Sequence, residues 1–88
     1  MANEVLDDSA LCRRKQVEAT TGFPRSTLYD RIAKRLFTRP VSLGGRAKGW
    51  PRREVKALND ALIAGKSDEE IRKLVERLEA ARTAAASE

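Results

Sequence analysis

Apolar residues recur along this chain at two periods, and the switches between them divide it into elements. Leu28 and Ile32 stand four apart on a stretch that opens at Pro24 and runs to about Lys34, which makes them one face of a helix. Proline suits the first helical position there, because the N–H it lacks has no partner inside the helix. Before it, Gln16, Val17 and Ala19 mark a shorter helix over 14–20, with an extended lead-in over 10–13 and a stop at Thr21 and Gly22. Phe23 follows as a buried hinge. Beyond Phe37 the helical period is lost. Pro40 ends any helix, Val41 and Leu43 alternate around Ser42 as in a half-buried strand, Gly44-Gly45 signals a hairpin turn, and 47–50 reads as the return strand. A third helix is predicted over 51–64, again with proline first, a stripe of Val55, Leu58 and Leu62, and Gly65 as its stop. Ser67 and Glu70 have the spacing of a capping box. They open a fourth helix from Asp68 to about Arg82, whose stripe is Ile71, Leu74, Val75, Leu78 and Ala81.

This order predicts a mostly α fold with a small β-hairpin. Two short helices joined by a turn containing glycine form a helix-turn-helix, and the hairpin after them reads as a wing. The domain plan is a loose acidic arm over 1–9, a winged helix-turn-helix over 10–65, a C-terminal helix over 66–82 and a frayed alanine-rich tail over 83–88. At 88 residues there is room for one small domain with a modest core.

Charge sharpens the picture. Residues 13–56 hold thirteen cations against Glu18, Asp30 and Glu54, a net +10, whereas 1–12 carry −3 and 57–88 carry −2. A basic block that also contains apolar positions at folding periods is the electrostatic footprint of a nucleic-acid-binding domain. Other classes are hard to build from these residues. With no histidine and the single cysteine Cys12, zinc-finger spacings and Ser-His-Asp or Cys-His constellations fail. Cys12 reads as a small apolar residue at the start of the fold. Asp68, Glu69 and Glu70 read as capping and dipole-compensating acids rather than a catalytic pair. The expectation is a protein that is not an enzyme, with no cofactor, metal or small-molecule ligand. No apolar run approaches the roughly 18 residues of a membrane span. The acidic N-terminus lacks the basic region of a signal peptide, so the expected compartment is the cytoplasm.

In a helix-turn-helix the second helix enters the major groove and its N-terminal residues reach base edges. That nominates Arg25 for a bidentate contact to guanine, with Ser26, Thr27, Tyr29 and Arg31 on the same polar arc. Tyr29 has a hydroxyl to offer a phosphate and a ring to pack beside Phe37 or Trp50. Asp30 is placed to pair with Lys34. Lys15, Arg39, Arg46 and Lys48 are the candidates for phosphate and wing contacts, Arg46 and Lys48 because they flank the hairpin tip. Trp50, at a strand-to-helix junction, reads as a core anchor, and Glu54 as a structural acid in the first turn of the third helix.

Four pieces of sequence carry a family resemblance: Arg13-x-x-x-Val17; Thr21-Gly22-Phe23-x-Arg25-Ser26-Thr27-Leu28-Tyr29; Phe37-x-x-Pro40-Val41-x-Leu43-Gly44; and Gly49-Trp50-x-x-x-Glu54-Val55. Over about residues 11–63 the chain resembles the AlpA family of phage and prophage transcriptional regulators, within the MerR-like and excisionase-like winged helix-turn-helix group. It departs from the usual pattern at Pro24, where serine is common, at Thr38, where proline is common, and at Leu58, often a second tryptophan. The resemblance implies sequence-specific binding of double-stranded DNA and regulation of phage or integrated-element genes. Two alternatives stay open. One is an excisionase-type factor of the same fold that bends DNA. The other is a protein-interaction adaptor working through the fourth helix. The stripe Ile71, Leu74, Val75 and Leu78 has two outlets at this stage, the core of its own domain or self-association with a second copy.

Overall fold

The structure is a computed structural model and describes residues 10–86; the acidic arm over 1–9 lies outside the described residues. The elements are β1 (Leu11–Cys12), α1 (Arg14–Thr21), α2 (Arg25–Ala33), β2 (Val41–Ser42), β3 (Lys48–Pro51), α3 (Arg52–Ile63) and α4 (Asp68–Ala86). Four helices with a small antiparallel sheet match the expected mostly α class. The sheet holds one strand more than the predicted hairpin. β3 lies in the middle, with β2 on one side (Val41 opposite Gly49) and β1 on the other (Leu11 opposite Pro51, Cys12 opposite Trp50). Within the lead-in over 10–13, Leu11–Cys12 is therefore a paired strand, which anchors the start of α1 to the base of the wing.

Both helix-opening prolines stand one position earlier than expected. Pro24 and Pro51 occupy the caps, with ψ of 165° and 135°, and the helices begin at Arg25 and Arg52. The Pro24 carbonyl already accepts the Leu28 N–H at 2.9 Å, so the ring fixes φ for the turn outside the helix. Gly22 takes the left-handed conformation, φ 80°, that ends α1. Gly49 has a different task. A Cβ there would stand 3.1 Å from the Leu43 Cδ1 and 3.4 Å from the Cys12 carbonyl oxygen, so its missing side chain lets the outer strands close on β3.

The core gathers Val17 from α1, Leu28 from α2, Leu36 and Phe37 from the following turn, Trp50 from β3, Val55, Leu58 and Ala61 from α3, and Ile71 and Val75 from α4. Trp50 is fully buried, and its indole N–H donates to the Thr38 carbonyl at 2.9 Å. Its ring meets Phe37 edge-on at 6.5 Å between centroids. Phe23, expected as a buried hinge, is only half-buried, and so is Leu62; Ala61 takes the buried place on α3. Leu36 reaches the core because α2 ends in a left-handed Arg35, φ 64°, whose turn is closed by the Leu36 N–H on the Arg31 carbonyl at 2.7 Å.

α4 turns part of its stripe into the core. Ile71 and Val75 are 2% and 1% exposed, and Leu74 and Leu78 flank the same core. Of the two outlets for this stripe, Ile71 and Val75 take the first and help to close the core of the small domain, while Leu74 and Leu78 stay half-buried at its edge. The capping box forms as read. The Ser67 N–H donates to the Glu70 carboxylate at 2.9 Å and the Glu70 N–H to the Ser67 hydroxyl at 3.2 Å. These bonds, the backbone one foremost, hold the Glu70 carboxyl below its ordinary range. The helix extends to Ala86, four residues past its expected end near Arg82, in keeping with the high helix propensity of alanine; the last two residues of the expected tail lie outside the described residues.

Among the described residues two buried side-chain atoms lack a hydrogen-bond partner, the Arg31 Nε and the Thr38 hydroxyl. Thr38 is 0% exposed and its hydroxyl has no hydrogen-bond partner, although its carbonyl is used by Trp50. Replacing a buried, unsatisfied hydroxyl by a methyl of the same shape removes a desolvation cost. Thr38→Val is expected to leave the fold unchanged and raise its stability by up to about 1 kcal/mol, read as the midpoint of urea unfolding.

Candidate nucleic-acid interface

Three elements deliver cations to one open groove of about 410 Å³. The start of α1 supplies Arg13, Arg14 and Lys15; α2 supplies Arg25 and Tyr29; the wing supplies Arg46 and Lys48. No acid lines it. The local reasons are visible in the backbone. α1 has no acidic residue in its first turn, so nothing offsets the positive end of its dipole. The Arg13 N–H is capped by the Gln16 side chain at 2.8 Å, and the Arg13 Nε donates to the Lys48 carbonyl at 3.1 Å. That last bond crosses from α1 to β3 and holds the helix start beside the wing. Arg14 is partly neutralised by Glu18 one turn on, at 2.6 Å.

The turn between the two helices is fixed by Thr21. Its hydroxyl donates to the Val17 carbonyl at 2.8 Å and accepts the Phe23 N–H at 3.3 Å. α2 therefore leaves the turn with Arg25 exposed at its first position and Leu28 directed into the core. Tyr29, one residue past Leu28, is 40% exposed. It lines the groove instead of packing beside Phe37 or Trp50, which pair with each other.

The structure thus brings together five of the nine sequence-nominated residues: Lys15, Arg25, Tyr29, Arg46 and Lys48. The other four lie elsewhere. Ser26 is exposed and Thr27 half-buried in the first turn of α2, and neither lines the groove. Arg31 is half-buried, with its guanidinium carbon 5.0 Å from the centre of the Phe23 ring, a cation–π contact that fixes it against the turn. Arg39 sits on the approach to the wing and is engaged by Glu79 of α4, with 3.2 Å between guanidinium and carboxylate. The Asp30–Lys34 pair forms at 3.0 Å on an exposed surface. Arg13 and Arg14 were not nominated. The signal available for them was the run Arg13-Arg14-Lys15 at a helix start, and it became specific only once β1 was seen to pair with β3.

Among the described residues no group of histidine, cysteine or acidic side chains is placed to hold a metal ion. No helix among them is long and apolar enough to cross a membrane. Compared with known proteins, residues 10–57 match the sequence profile of a family described as prophage CP4-57 regulatory protein (AlpA). No curated protein and no solved structure matches the chain. The matched residues run from β1 into α3 and include the whole cationic groove.

Proposed function

The chain belongs to the AlpA family of prophage regulatory proteins, and on that premise we propose that it regulates phage or integrated-element genes by binding specific sites on double-stranded DNA. The observation that carries this reading is the convergence of six cations from α1, α2 and the wing on one groove, with no carboxylate among the described residues that line it and only Arg14 paired, to Glu18. Such a surface suits a polyanion, the phosphate backbone of a duplex foremost. In the mechanism that follows, α2 enters the major groove and Arg25 reads a guanine through its paired N–H donors. Lys15, Arg46 and Lys48 hold phosphates on the flank, and the Tyr29 hydroxyl donates to one of them. Regulation then comes from occupying an operator, with no chemical step, and its place of work is the bacterial cytoplasm, on nucleoid or phage DNA.

The test is a selection from random duplexes, which is expected to enrich one motif. On that motif Arg25→Ala should cost roughly 1–3 kcal/mol and relax the preference at one base pair, with little loss on random DNA. Arg46→Ala should weaken both DNAs alike. Equal losses on the two DNAs for Arg25→Ala would make it a backbone contact, and failure to enrich any motif would remove specific binding from the proposal.

A further inference from the structure

α4 lies outside the residues that match the family, yet it grips the segment that leads into the wing. At the end of α2 the Arg72 Nε donates to the Lys34 carbonyl at 3.0 Å, and next to the wing the grip is on Arg39. The Arg39 N–H donates to the Glu79 Oε2 at 2.9 Å, and the Arg39 carbonyl accepts from the Arg82 Nη2 at 2.6 Å. Arg82 is itself immobilised. Its Nε and Nη2 donate to the two oxygens of Glu54, at 2.8 and 2.6 Å, and that carboxylate is 1% exposed. On the other side of the peptide, the Thr38 carbonyl is fastened to Trp50. Residues 38 and 39 are therefore tied to β3, to α3 through Arg82 and Glu54, and to α4. β2 begins two residues later. It is only two residues long, and so short a strand contributes too few ladder bonds to fix a hairpin unaided.

We propose that Glu79 and Arg82 are positioning residues for the wing: by holding the backbone of Arg39 from α4 they keep Arg46 and Lys48 over the groove, an inference that rests on the reading of that groove as the DNA site. The state of Glu79 agrees with this role. Burial pushes its carboxyl up, but the Arg39 N–H, the Arg39 side chain and the charges of Arg39 and Arg82 outweigh burial and bring it below the ordinary range. Glu79 is accordingly ionised near neutral pH and accepts both bonds from Arg39.

Two substitutions with the same charge change separate positioning from electrostatics. Glu79→Gln and Glu79→Ala each remove one negative charge, and repulsion alone predicts that both bind DNA more tightly. Glutamine keeps an oxygen to accept the Arg39 N–H; alanine does not. Positioning predicts that Glu79→Gln binds duplex DNA at least as tightly as the native protein, whereas Glu79→Ala binds about fivefold more weakly, the equivalent of one ordinary hydrogen bond lost. In the same comparison, the backbone amides over 41–48 should exchange faster with solvent only in Glu79→Ala, with circular dichroism confirming that both variants are folded. Equal affinities for the two variants and equal exchange over 41–48 would overturn the proposal. If the native protein shows no DNA binding, it is the reading of the groove that fails, and hydrogen exchange still decides whether Glu79 fixes the wing.

Discussion

Arg82→Met should lower the stability of the fold by about 3–5 kcal/mol. Glu54 is 1% exposed and both its oxygens are satisfied by Arg82. Removing the guanidinium leaves a carboxylate in the interior with its partner gone, which costs far more than the pair contributes over an apolar substitute. Small domains have only about 5–15 kcal/mol of stability in total, so the loss should be visible as a large fall in the urea midpoint. The exposed pairs give the contrast. Lys56–Asp60 and Asp30–Lys34 have more than half of each side chain in solvent, and breaking either should cost under about 1 kcal/mol. Replacing both members, Glu54→Met with Arg82→Met, should recover most of the stability, because no buried charge is then orphaned. A loss for Arg82→Met as small as that of the surface pairs would mean that water solvates Glu54 in solution.

The second large effect concerns DNA. Lys15→Gln, Arg46→Gln and Lys48→Gln combined should weaken binding by about 10²–10³-fold at 0.1 M salt, because three phosphate contacts each release close to one counterion. All three side chains are exposed, so stability should barely change. Arg25 remains, so the preferred motif should be the same at lower affinity. Measured by titration of a labelled duplex, this variant separates affinity from specificity. A loss of less than about tenfold would place the phosphates outside the groove, since three contacts of this kind are worth far more at this ionic strength.

What the sequence made legible was local. The Leu28–Ile32 face, the glycine stop at Gly22, the Ser67–Glu70 capping box and the Gly44-Gly45 hairpin each depend on residues within four positions of one another, and each forms. Trp50 was identified as core from its place between strand and helix and is fully buried. Family membership, too, was readable from short motifs over the segment that the comparison matches.

The misses share a physical cause: they depend on partners far apart in sequence. β1 is two residues long and has no alternating pattern of its own; only its register against β3, forty residues on, makes it a strand. Glu54 was placed correctly near the start of α3, but its partner Arg82 is 28 residues away and nothing local pairs them. Arg39 was read as a phosphate contact from its basic stretch, and its pairing with Glu79, forty residues later, had no local signal. The stripe on α4 was apolar under either covering, and only the three-dimensional packing shows that Ile71 and Val75 close the core. For the groove, local reading named Lys15 of α1 and the cations of α2 and the wing but not Arg13 and Arg14, which stand next to the β1–β3 pairing.

The central claim is that this basic surface binds duplex DNA through its phosphates, and the most direct measurement is the affinity of the native protein for one duplex as salt is raised. With on the order of 5–7 phosphates neutralised, a plot of log K against log salt concentration should fall with a slope of about −5 to −6. A flat plot, or no measurable binding even at low salt, would contradict the account.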